Sequence, residues 1–291
     1  LIIETVNPGA EVVRESVEDY VRRYPDYADA LRMYGAIMEE QQSALESISC
    51  NLEPLDAEEQ EARLRGGETL FDPRDLEVDG ALFRELVAKI CAAVDTHRPG
   101  GFTYCERLAS WDGLSDGNLD DTREKLLTGA ELGFTPDGDL SEAERELVKN
   151  ILWEALAPFY RVCASMLSSK MEQSSWLKGF CPVCGGAPLM GKYRQDDGLW
   201  LVECSLCHTL WNIQRASCPF CDESEGSLEF LYIGDEGGLR ANYCKACRRY
   251  VKTIDLRDSE KDVLMPLEDI VTIQLDLAAR KEGLTPASGR F

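Results

Sequence analysis

No stretch of this chain approaches the roughly 18 consecutive apolar residues that a membrane-spanning helix needs. Its first residues, LIIETVNPGAEVVRE, lack the charged n-region and apolar h-region of a secretory signal. These two absences predict a soluble, cytoplasmic protein with no membrane insertion. Histidine is scarce as well, with His97 and His208 alone. No two-histidine zinc helix, Gly-rich phosphate loop or nucleophile elbow is present, so no hydrolytic or nucleotide site is indicated and no small-molecule substrate is expected. Positive charge is also in short supply: 31 Lys and Arg stand against 53 Asp and Glu, a net charge of −22. Residues 1–179 carry −18 of it (18 against 36), residues 180–255 carry −2 (8 against 10) and residues 256–291 carry −2 (5 against 7). Such a chain repels phosphate backbones, which argues against nucleic acid as a partner and for a solvated acidic surface.

The 291 residues, 44% of them hydrophobic, are enough for two or more packed domains. Residues 1–179 read as an all-α domain. Leu31, Tyr34, Ile37, Met38, Leu45 and Ile48 keep the three-and-four spacing of one helix face, as do Phe83, Leu86, Ile90 and Val94. A third helix opens on a Ser141/Glu144 capping box and runs through Leu147, Ile151, Ala155 and Phe159. GGETLFDPRD and WDGLSDGNLDD read as loops between them. From about residue 179, short β-branched and aromatic segments (LWLVEC, LEFLYIG, RRYVKTID) alternate with Gly and Cys-pair turns, the pattern of short strands. After Pro266 one helix is expected, with Ile270, Ile273 and Leu277 on one side and Gly283 as terminator, followed by a loose tail. The fold class is therefore α+β multidomain: a helical domain (1–179), two small four-cysteine β modules (180–216 and 217–256), and a C-terminal helix and tail (257–291).

Eight of the twelve cysteines stand in four CxxC pairs: Cys181/Cys184, Cys204/Cys207, Cys218/Cys221 and Cys244/Cys247. Two intervening residues let a tight turn aim both sulfurs at one ion, and two such turns complete a tetrahedral four-thiolate site. The gaps of 19 and 22 residues within the first and second halves suit ribbons of short strands. Disulfides fit poorly without an export signal. Catalytic dithiol chemistry at CPFC lacks the βαβ setting it needs, and three sister pairs accompany it. His208 follows Cys207 directly, but eight thiolates already complete two sites, so it reads as a strand residue. Pairing is sequential or interleaved; the ten residues between Cys207 and Cys218 favour sequential modules side by side.

In CPVCGG the proline fixes φ inside the turn and Gly185 follows the second cysteine, where left-handed backbone is cheap. Backbone N–H groups of such a turn point at the sulfurs and tune the metal. Zinc and iron both suit four thiolates. Lys245, Arg248, Arg249 and Lys252 are read as counter-charge to the thiolates. Cys50, Cys91, Cys105 and Cys163 are scattered and read as small buried apolar residues without chemistry.

CPVCGGAPLMG, LWLVECSLCHTLW followed by CPFC, YCKACRRYVKTIDLRD and PLEDIVTIQLDLAARKEG resemble the formate dehydrogenase accessory protein family, FdhE, over residues 181–283. YPDYADALRMYGAIMEEQQ is a weaker match to that family's helical domain. The resemblance implies two rubredoxin-like modules and a cytoplasmic, non-enzymatic maturation factor. Its partner would be the catalytic subunit of a molybdopterin-dependent formate dehydrogenase, bound before export. It implies two metal ions, described as iron with zinc as the alternative, on Cys181, Cys184, Cys204, Cys207, Cys218, Cys221, Cys244 and Cys247. Asp255, Asp269 and Asp276 fall in matching stretches as candidates for partner contact, with helix caps or solvated carboxylates as the plainer reading. A rubredoxin-type electron-transfer or redox-sensing protein is the alternative function.

Overall fold

Apolar spacing places helices over residues 31–38 and 83–94 as expected. The computed structural model describes residues 3–98, 104–135, 140–168, 176–223, 226–233, 238–259 and 263–288. The chain divides into two compact units. One comprises Asn7–Leu52 and Pro73–Cys163 and is helical; the other comprises Leu1–Val6, Glu53–Asp72 and Ala164–Arg290 and carries the sheet.

Ahead of the helices, Ile3–Thr5 forms a strand, β1. Then come α1 (Ala10–Arg23), α2 (Ala28–Ala44), α3 (Ala57–Gly66), α4 (Gly80–His97), α5 (Cys105–Ala109), α6 (Leu119–Thr128) and α7 (Glu142–Ser168). The buried face of α2 carries Leu31, Ile37 and Met38, while Leu45 and Ile48 lie beyond its end, Leu45 opening a single 3-10 turn. Phe83, Leu86, Ile90 and Val94 line α4 and are buried, and Asp79 caps it by accepting from the N–H groups of Ala81 and Leu82. The capping box of α7 is formed: the Ser141 N–H donates to Glu144 Oε2 at 2.8 Å, and the Glu144 N–H donates to Ser141 Oγ at 3.3 Å. WDGLSDGNLDD is only partly loop, because α6 starts at Leu119 within it.

Pro158 lies inside α7 and cannot donate to the carbonyl of Glu154, four residues back. Gln41 of α2 takes the vacated place, its Nε2 donating to that carbonyl at 2.8 Å and to Glu154 Oε2 at 2.7 Å. Gln41 and Glu154 are both buried, so this pairing satisfies groups that water does not reach.

In the sheet-bearing unit, β2 (Pro188–Tyr193), β3 (Trp200–Cys204), β4 (Thr209–Asn212), β5 (Leu228–Leu231), β6 (Leu239–Cys244) and β7 (Arg249–Asp255) are followed by α8 (Met265–Val271), α9 (Ile273–Lys281) and β8 (Thr285–Pro286). The strand order is β1-β4-β3-β2-β7-β6-β5, with β8 on β7. Within each four-cysteine module pairing is antiparallel. The two modules share one sheet because β2 and β7 pair in parallel, Gly191 opposite Thr253 and Tyr193 opposite Asp255.

The C-terminal helix is two helices, broken at Thr272. Its buried side is Leu267, Val271, Leu275 and Ala279, whereas Ile273 is 37% and Leu277 45% exposed, which corrects the face read from sequence. Ala241, Tyr250, Leu275, Ala279 and Leu284 form one apolar cluster that seats α9. Gly283 does end α9: its φ is 71°, its N–H donates to the Arg280 carbonyl, and Leu284 N–H donates to Ala279. The tail is not loose throughout, since Thr285 and Pro286 pair with Arg249 and Tyr250; residues 289–291 lie outside the described residues.

Candidate metal centre

Each CxxC pair opens a turn of the same build. In three of them the residue after the second cysteine donates its N–H to the carbonyl of the first: Gly185 to Cys181 (2.9 Å), Asp222 to Cys218 (3.1 Å) and Arg248 to Cys244 (2.9 Å). That residue is left-handed in all four turns: Gly185 at φ 73°, His208 at 55°, Asp222 at 54° and Arg248 at 63°. The turn also aims N–H groups at sulfur, each at 3.4 Å: Val183 to Cys181, Gly186 to Cys184, Leu206 to Cys204 and Phe220 to Cys218.

The sheet brings the four turns together in sequential pairs. Cys181, Cys184, Cys204 and Cys207 form one quartet, and Cys218, Cys221, Cys244 and Cys247 the other, with the sulfurs of each within 4.8 Å of one another. In the first quartet Cys181 and Cys207 are 3.6 Å apart, Cys184 and Cys204 3.6 Å, and Cys184 and Cys207 3.3 Å. In the second, Cys218 to Cys247 is 3.7 Å and Cys221 to Cys244 is 3.8 Å. A metal–sulfur bond of about 2.3 Å gives a tetrahedron with edges of about 3.8 Å, so both quartets fit a four-thiolate ion. Gly186 belongs to the fit: a Cβ there would lie 2.7 Å from Cys204 Sγ and 3.3 Å from Cys184 Sγ.

The quartets differ in exposure. All four sulfur residues of the first are buried; in the second Cys221 is exposed and Cys247 half-buried. Both favour one thiolate before the others. Burial pushes the Cys181 and Cys184 thiols well above the ordinary range. Burial opposes ionisation of Cys204 too, but the thiols of Cys181, Cys184 and Cys207 hydrogen-bond to it, and its pKa falls well below normal. In the second quartet burial raises Cys218 and Cys247. At Cys244 the N–H groups of Cys247 and Ala246, with the thiols of Cys218 and Cys221, outweigh burial and bring it down to about 7. A thiolate ringed by thiols attracts a cation, whose binding displaces the remaining protons.

Several smaller readings change. His208 lies in the turn ahead of β4, not in a strand; its Nδ1 pairs with Glu203 Oε1 at 2.6 Å and both side chains are buried. Lys252 is not thiolate counter-charge, because it is buried against Asp269 (2.8 Å) and Asp276 (2.5 Å). Lys245 pairs with Glu229 and also feels the Cys244 thiolate. Asp276, neither cap nor solvated, is buried and accepts from Tyr250 as well. Asp269 holds Lys252, and Asp255 pairs with Arg257 and Arg240.

Cys50 and Cys163 were expected to be free; they form a disulfide across 113 residues of sequence within the helical unit. Cys105 donates to the Cys91 carbonyl at 3.5 Å, and hydrogen bonding between these two thiols raises Cys91 and lowers Cys105. No sequence signal announces either pairing, since the partners lie on separate helices or loops.

Residues 180–215, which hold the first quartet, match the FdhE central domain. Over this segment the chain is similar to the FdhE family. Curated relatives match more of the chain. A protein FdhE homolog of Aquifex aeolicus is 34% identical over 128 residues, covering 42% of this chain and 44% of that protein. One of Haemophilus ducreyi is 30% identical over 161 residues (53% and 52%), and protein FdhE of Escherichia coli is 28% identical over 141 residues (47% and 45%). The matched stretch thus spans about half the length of these FdhE relatives. The crystal structure of the FdhE protein from Pseudomonas aeruginosa has the same fold, with a TM-score of 0.66 over 99% of this chain and 97% of that one at 22% identity. Among the described residues no helix is long and apolar enough to cross a membrane.

Proposed function

We propose that this chain is a cytoplasmic accessory protein that binds the catalytic subunit of a molybdopterin-dependent formate dehydrogenase and supports its maturation before export. The observation that carries this reading is the pair of sequential cysteine quartets, the first of them inside the segment similar to the FdhE central domain. Its metal centres would be two ions, iron or zinc, held by Cys181, Cys184, Cys204 and Cys207 and by Cys218, Cys221, Cys244 and Cys247. An iron ion on four thiolates would supply a one-electron couple, and zinc would supply only a structural clamp. The chain's own part is to fix the sulfurs: turn N–H groups donate to them and the shared sheet holds the two quartets side by side. Neither quartet leaves an open ligand position, which favours binding over catalysis. We propose domain limits at 1–179, 180–216, 217–256 and 257–291 for testing by truncation.

The second reading is rubredoxin-type electron transfer or redox sensing, favoured by one observation, the exposure of Cys221 at the second quartet. The experiment mixes the metal-loaded chain, prepared without oxygen, with the purified catalytic subunit and follows co-elution by size-exclusion chromatography, with metal content and visible spectrum measured alongside. A complex is expected whether the ions are iron or zinc. Failure to associate with both quartets loaded refutes the accessory reading; a reversible one-electron couple without association selects the alternative.

A further inference from the structure

Between the two four-cysteine modules the sheet carries a cavity of about 460 Å³, within the size range of small-ligand sites. Its lining comes from separate stretches: Tyr193 of β2, Trp200 of β3, Arg215 of the link between modules, Phe230 of β5, Arg240 and Asn242 of β6, and Arg257 beyond β7. Three arginines and no carboxylate line it among the described residues. That is unexpected in a chain of net charge −22.

The arginines converge on one ring. The guanidinium carbons of Arg240, Arg257 and Arg215 lie 4.6, 5.5 and 5.8 Å from the Tyr193 centroid. Tyr193 is itself stacked on buried Trp200 at 5.9 Å and its hydroxyl accepts from Asn242 Nδ2 at 2.9 Å. Arg240 is held between two rings, 4.7 Å from Phe230 on the other side, and its Nε donates to Asn242 Oδ1 at 3.2 Å. The left-handed turn at Gly198 makes room for the other two, since a Cβ there would sit 3.4 Å from Arg257 Cδ and 4.0 Å from Arg215 Nη1. Asp255 offsets part of the charge, at 2.6 Å from Arg257 and 3.6 Å from Arg240, and exposed Asp258 lies near Arg257. Arg215 has no ion pair among the described residues. Ring faces attract cations, but three guanidiniums gathered on one ring repel each other, and an incoming anion relieves that repulsion. Guanidinium forks match the oxygens of phosphate and carboxylate groups.

We propose that this cavity binds an oxyanion, phosphate or carboxylate, carried on an apolar body: Arg215, Arg240 and Arg257 take the oxygens, and Leu228 and the half-exposed Phe230 take the body. Its source is either a free small molecule or an acidic side chain of a peptide. The test is isothermal titration of the full metal-loaded chain with phenyl phosphate, inorganic phosphate and a short Glu-Phe-Glu peptide, the last against its Gln-Phe-Gln counterpart. Arg215 and Arg257 are exposed, so R215A/R257A leaves the packed Arg240 in place. Saturable binding is expected, weakened about tenfold or more in R215A/R257A and partly restored in R215K/R257K. Preference for phenyl phosphate marks a free ligand, and preference for the acidic peptide over its neutral form marks a peptide. Absence of saturable binding by all three probes, or equal affinity in R215A/R257A with unchanged circular dichroism, overturns the proposal.

Discussion

Gly186→Ala offers the sharpest test of the first quartet, because the added methyl has one place to go. Its Cβ would stand 2.7 Å from Cys204 Sγ, 3.3 Å from Cys184 Sγ and 3.5 Å from Leu206 Cβ. Ordinary carbon contacts begin near 3.5 Å, so the overlap with Cys204 is on the order of 1 Å. A flexible neighbour would swing aside at little cost. These sulfurs are not free to do so: the Gly186 N–H holds Cys184, the Leu206 N–H holds Cys204, and the whole quartet is buried. Overpacking of this kind costs about 1–3 kcal/mol, and moving one ligand well beyond the usual tolerance of about 0.2 Å adds to it on the metal-bound side. At about 1.4 kcal/mol per factor of ten, metal affinity at the first quartet should fall by roughly tenfold to several hundredfold. Competition against a graded chelator, read as ions retained per chain, measures this. The expected result is one ion lost early and one held as in the parent. Gly117→Ala, where no atom lies within 4 Å of the new Cβ, is the control. Two ions retained in G186A with an unchanged competition curve would refute the steric argument.

Two further outcomes follow from burial and from Pro158. In the parent protein the second quartet, with exposed Cys221 and half-buried Cys247, should release its ion to chelator before the first; a single release phase for both ions would contradict that order. Gln41→Leu should destabilise the helical unit by about 1–3 kcal/mol, because the Glu154 carbonyl and carboxylate both lose a buried donor. In a Pro158→Ala background the residue at 158 regains an N–H for that carbonyl, so Gln41→Leu should cost less there. Thermal melts of the four proteins make the cycle, and simple additivity would count against the assigned pairing.

Much of the site was visible in the spacing of residues. CxxC forces two sulfurs to one side of a turn, and the ten residues from Cys207 to Cys218 are too short to braid the modules easily. The helix faces at Phe83–Val94 and the Ser141/Glu144 box were visible for the same reason: they are local. What escaped is non-local. The parallel pairing of β2 and β7 leaves no residue signature, nor does the partnership of Cys50 with Cys163. Lys252 sits close to basic neighbours and reads as counter-charge to the thiolates until α8 and α9 bring Asp269 and Asp276 onto it. The C-terminal helices are apolar on more than one side, so periodicity alone could not choose between Ile273 and Leu275.

The turns show how far one local signal reaches. Gly185 announces a left-handed residue; His208, Asp222 and Arg248 occupy the same backbone and announce nothing. A side chain there costs about 1–2 kcal/mol, so something must offset it. At two of the three positions the structure supplies the offset. His208 pairs with buried Glu203 and its carbonyl accepts the Val6 N–H that continues from β1. Arg248 donates to the Glu282 carbonyl, and its own carbonyl accepts from Thr285 at the start of β8. These residues fasten the turns to the ends of the unit. Asp222 is exposed and has no side-chain partner among the described residues. Glycine should therefore act differently at each place. Asp222→Gly relieves the strain, less the roughly 0.5–1 kcal/mol of chain entropy that glycine loses on folding, and should be neutral to stabilising by about 1 kcal/mol. His208→Gly strands the buried Glu203 carboxylate and should cost about 3 kcal/mol despite the same relief. Thermal melts at fixed metal loading decide it. If His208→Gly and Asp222→Gly shift the melting temperature alike, backbone strain alone sets the choice of residue, and the fastening role of His208 is wrong.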